Sequence, residues 1–64
     1  MRHDIRTIYN EFLHCASDAI TRRDRQAAMF CLSQAMRCAN TVQGNAAYRK
    51  AVFRAMSFAR RLPV

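Results

Sequence analysis

One glycine and one proline in 64 residues leave this chain few ways to reverse direction except at the ends of helices. A strand-rich fold of this length needs several tight turns, and those turns draw on glycine, proline and asparagine for their backbone angles. Here Gly44 stands alone in the middle of the chain and Pro63 stands next to its end. Apolar residues make up 52% of the sequence, which argues for a folded chain rather than a disordered tail. An all-α fold remains.

The apolar spacing predicts three helices. The first runs roughly from 4 to 22, with Ile5, Ile8, Tyr9, Phe12, Leu13, Ala16, Ala19 and Ile20 on one face. Asp4 suits its N-terminal dipole, and Arg22 and Arg23 suit its end. Asp24 is a candidate N-cap for a second helix over 25–40, whose inner face carries Ala28, Cys31, Leu32, Ala35, Cys38 and Ala39. So short a connection predicts an antiparallel hairpin. Residues 40–45 are the clear break, with Gly44 for backbone freedom and Asn45 as a cap. A third helix over 46–62 carries Tyr48, Ala51, Val52, Ala55, Phe58, Ala59 and Leu62 inward until Pro63 stops it. The expected architecture is a single domain over 1–64. It is a small three-helix bundle, or a hairpin plus third helix, completed by homodimerisation because so short a chain buries little surface alone.

The net charge of +7 is uneven. Four basic and four acidic residues cancel over 1–24. Residues 25–64 carry Arg25, Arg37, Arg49, Lys50, Arg54, Arg60 and Arg61 with no carboxylate. Such a field favours an acidic protein, nucleic acid or an anionic membrane. The three cysteines are odd in number, and Met1-Arg2-His3-Asp4 lacks the apolar run of a secretory signal. The expectation is free thiols in a reducing cytoplasm.

Two resemblances follow from these residues. Phe12, Cys15, Ala16 and Ala19 on the first helix, then Ala28, Leu32 and Ala35 on the second, alternate in size as in a single tetratricopeptide-type unit, over residues 12–40. The Gly and Tyr of that repeat are missing and no second repeat follows, so the resemblance implies close helix packing and no shared groove. The opening stretch from Met1 to Cys15 is similar in character to the small helical accessory proteins encoded in the early region of lambdoid bacteriophages, between exonuclease and excisionase genes. That resemblance implies an oligomeric, non-enzymatic modulator of host or phage development, acting in the bacterial host cytoplasm.

Catalytic, metal and cofactor sites are not expected. Cys15, Cys31, Cys38, His3 and His14 include no C-x2-C or H-x3-H pair, and Cys31 and Cys38 fall seven apart at core spacing. They read as buried, inert thiols. Cys15 and His14 are chain neighbours pointing about 100° apart, so no nucleophile–base pair forms. The basic residues are more informative. Lys50, Arg54 and Arg61 share one flank of the third helix, and Arg49 and Arg60 share another. Phe30 and Phe53 break the apolar pattern beside Arg37 and Arg49. Met29, Met36 and Met56 fall at face edges as core filling. The leading expectation is protein binding, with Phe30 and Phe53 as apolar anchors and Arg37, Arg49 and Arg60 around them, against an acidic partner or a second copy. The alternative is a nucleic-acid binder, although no helix-turn-helix, zinc finger or stacking motif is present. Binding of the basic, amphipathic third helix to a membrane surface is the least favoured reading.

Overall fold

The computed structural model describes residues 4–42 and 44–63. His3, weighed above as a metal donor, and Gln43 of the second connection lie outside the described residues. Three helices form: α1 (Ile5–Thr21), α2 (Arg25–Asn40) and α3 (Ala46–Arg60). Two side-chain caps form, the one at Asp24 as the sequence predicts and the one at Asp4 where the sequence marks only a charge suited to the helix dipole. The Asp4 carboxylate accepts from Arg6 N–H at 3.4 Å, and the Asp24 carboxylate accepts from Ala27 N–H at 3.1 Å. Asn45 occupies the N-cap position of α3, but its side chain makes no capping hydrogen bond there.

The α1–α2 turn holds a surprise for its composition. Arg23 N–H donates to Ile20 C=O at 2.9 Å, and Asp24 N–H donates to Ala19 C=O at 2.8 Å. This paired closure is a Schellman motif, and it places Arg23 at φ 60. Glycine is the usual occupant of that left-handed position, because a Cβ crowds the neighbouring carbonyl there. Gly44, at φ 69, meets the same demand in the second connection without that penalty. Beside it Val42 is buried, tying the connection to the body of the molecule.

The hairpin forms as expected, and α2 becomes the shared partner of both other helices, which scarcely touch each other along their lengths. The interior is small. Tyr9, Leu32, Val42 and Val52 are the only buried hydrophobic residues larger than alanine among those described. Ala16, Ala19, Ala28, Ala35, Ala39 and Ala59 make up the rest. Methyl groups on facing helices allow close axial approach, so the seam is tight but thin. The Cα envelope measures 36 × 26 × 13 Å. The three helices thus make the small all-α bundle that the sequence predicts, open along one side and flattened toward a single layer.

Tyr9 fastens the two outer helices at one end. It is 2% exposed, packs edge-on to Tyr48 with ring centroids 4.8 Å apart, and donates its hydroxyl hydrogen to Tyr48 C=O at 2.9 Å. At the other end Pro63, just past α3, borders the α1–α2 turn. The two outer helices therefore run parallel, joined near their N-termini and separated further along.

Several expectations need correction. Phe58, assigned to the core, is 57% exposed, and Ala51 is exposed as well. With α2 as its sole extended neighbour, α3 buries only a narrow arc centred on Tyr48, Val52, Ala55 and Ala59. Cys15, expected to be buried, is exposed, while Cys31 and Cys38 are half-buried. Helix α3 also ends two residues early. Arg61 is its C-cap, and Leu62 N–H bonds to Ala59 C=O in a closing turn.

Candidate functional site

The residues singled out by the sequence divide between two surfaces. Successive helical residues rotate by roughly 100°. Phe30 therefore stands roughly 160° around α2 from Leu32, and Phe53 roughly 160° around α3 from Ala55. Leu32 and Ala55 line a groove between the outer helices. Phe30 and Phe53 thus belong to the opposite, back face of the layer, at 63% and 52% exposure. Arg37 follows Phe30 by two turns on the exposed stripe of α2. Arg49 and Arg60 flank Phe53 on α3, and the Arg49 guanidinium carbon lies 6.0 Å from the Phe53 ring centroid. That distance is the outer limit of a cation–π contact.

Lys50, Arg54 and Arg61 occupy a different part of α3, its free edge, and all three are exposed. The ion pair among the described residues joins Arg22 to Asp18 at 3.1 Å, one turn apart within α1. No cation of α3 has a carboxylate partner among the described residues. The field of α3 is therefore uncompensated within the chain.

The groove is the feature that sequence reasoning missed. It has a volume of about 370 Å³. Leu13, Ala16, Ser17 and Ile20 of α1 form one wall, Leu32 of α2 forms the floor, and Arg54, Ala55 and Phe58 of α3 form the other wall. Phe58 carried the available signal: it lies about 60° outside the arc of Val52, Ala55 and Ala59 on a helical wheel. Periodicity alone does not say how wide an arc the neighbours cover.

A second concavity, of about 330 Å³, lies at the α1–α2 turn between Arg22, Arg23, Asp24, Arg25, Gln26 and Pro63. Its position at the start of α2 suggests an anion site, but Asp24 already places a carboxylate there and caps the helix with it.

The thiols are not equivalent. Cys31 faces Cys15 across the hairpin, and its pKa is raised above 9.0. Burial is the main cause, followed by the charge and hydrogen bond of Cys15, while Arg22 pulls the other way. Among the described residues no three His, Cys, Asp or Glu side chains gather at metal-binding distance. No helix of the described residues is long and apolar enough to cross a membrane. Comparison with protein families, curated proteins and solved structures found no match to this chain.

Proposed function

We propose that this chain is a small, non-enzymatic accessory protein that binds an acidic protein partner through its basic helical surface. The observation that carries the reading is the back face. There two exposed phenylalanines, Phe30 and Phe53, share one surface with Arg37, Arg49 and Arg60. Aromatic anchors ringed by arginine are the composition that concentrates binding energy at protein interfaces. No carboxylate occurs after Asp24 to neutralise the face from within. Charge also argues for a foreign partner over the homodimer that the sequence suggests. A two-fold contact on this face would bring its arginines toward those of a second copy. The resemblance to lambdoid phage accessory proteins supplies the proposed setting, modulation of host or phage development in the bacterial cytoplasm.

The test is capture from bacterial lysate on immobilised protein, with and without nuclease, using the natural chain and Phe53→Ala. Phe53 is half exposed, so its truncation should leave helicity by circular dichroism intact. Supporting results are a defined acidic protein that survives nuclease, binds the purified chain directly, and weakens at least tenfold with Phe53→Ala, or about 1.4 kcal/mol. Recovery of nucleic acid alone, with protein lost on digestion, would overturn the proposal and assign the arginines to phosphate contacts.

A further inference from the structure

We infer that the groove between α1 and α3 is a second docking surface, and that it receives one acidic amphipathic helix of a partner protein. The inference stands on a face opposite Phe30 and Phe53, and so does not depend on the reading of the back face.

Two observations define the occupant. The first is shape. The α1 wall runs from Leu13 to Ile20, a rise of about 10 Å, or two helical turns. The trough is open and bounded by two parallel helices, which suits a helix laid along it, with apolar residues at i, i+3 or i+4, and i+7 pointing down. Alanines at Ala16 and Ala55 keep the walls low, while Leu13, Ile20 and Phe58 offer the contact area. The second is charge. Arg54 belongs to the groove wall, with Lys50 one turn before it and Arg61 two turns after it along the same free edge. A helix whose outer flank carries Asp or Glu would meet all three as it seats. This chain is a poor occupant of its own groove, because its acid-bearing helix, α1, already forms one wall.

The experiment is an amide ¹H–¹⁵N NMR titration of the full chain with a designed 16-residue helical peptide bearing Leu on one face and Glu on the other. A sister peptide with Lys in place of Glu is the control. The Leu/Glu peptide is expected to shift the amides of Leu13, Ser17, Ile20, Ala55 and Phe58. Its affinity should fall at least tenfold in Phe58→Ala and in Arg54→Glu and stay within twofold in Phe53→Ala. Both groove side chains are exposed, so those variants should keep their helicity. Shifts confined to the neighbourhood of Phe30 and Phe53 would overturn the groove while leaving the back-face proposal standing. Absence of binding, or equal binding of the Leu/Lys peptide, would overturn it outright. So would the same groove shifts on raising protein concentration without peptide, which would make a second copy the occupant.

Discussion

At the scale of single residues, the turn between the first two helices carries a measurable strain. Arg23 adopts φ 60 to close a Schellman motif that a glycine would close without a Cβ clash. Replacing it, Arg23→Gly, is expected to stabilise the chain by about 1 kcal/mol, a rise of about 4–8 °C in Tm for a domain of this size. Thermal denaturation followed by circular dichroism decides it, and an unchanged or lower midpoint would mean that the arginine side chain offsets its own backbone cost. The caps at this scale were partly legible. Asp24 announced itself because a carboxylate before an apolar-periodic run has an orphan N–H to accept from. Arg23 did not, because a left-handed residue is normally found through its glycine.

Between elements, the fastening of α1 to α3 depends on Tyr9, whose hydroxyl donates to Tyr48 C=O while its ring packs edge-on to the Tyr48 ring. Tyr9→Phe keeps the packing and loses the hydrogen bond, at an expected cost of about 1 kcal/mol near neutral pH. The Tyr9 phenol titrates above its ordinary 10.0, first because burial disfavours the phenolate and then because Tyr48 adjoins it. The folded state thus holds this proton more tightly than the unfolded chain does. That stabilisation is complete below pH 10.0 and is lost as the pH rises past it toward the folded value. Urea denaturation of both proteins from pH 8 to 11 should show a steeper alkaline decline for the natural chain than for Tyr9→Phe. Cys31, raised above 9.0, adds a decline of the same sign to both. Helix positions were readable from apolar spacing, and the bounds of α2 coincide with the expected 25–40. The groove was not readable, since spacing marks Phe58 as near the apolar face but cannot reveal that α1 stops short of covering it.

For the whole molecule, charge and size act together. The net charge of +7 comes entirely from residues after Asp24, which include seven cations and no acidic side chain, so these like charges repel one another on a small molecule. Raising the ionic strength from about 0.01 M to about 0.15 M shortens the Debye length from ~30 to ~8 Å. The free chain should therefore gain thermal stability across that range, while its affinity for an acidic helix falls. Opposite signs in the two measurements are the signature of self-repulsion relieved by a partner. If stability fell with salt instead, attraction between α1 acids and distant arginines would have to dominate.

The alanine seam has a consequence for how such a protein drifts. An alanine has one smaller neighbour, glycine, which weakens a helix by about 1 kcal/mol, and every larger residue forces apart axes that six methyl groups hold close. Inherited change at Ala16, Ala19, Ala28, Ala35, Ala39 and Ala59 is thus blocked in both directions. The two wet faces can wander almost freely without cost to folding. Lineages descending from one ancestor would keep a silent, alanine-spaced interior and rewrite the very residues that choose their partners.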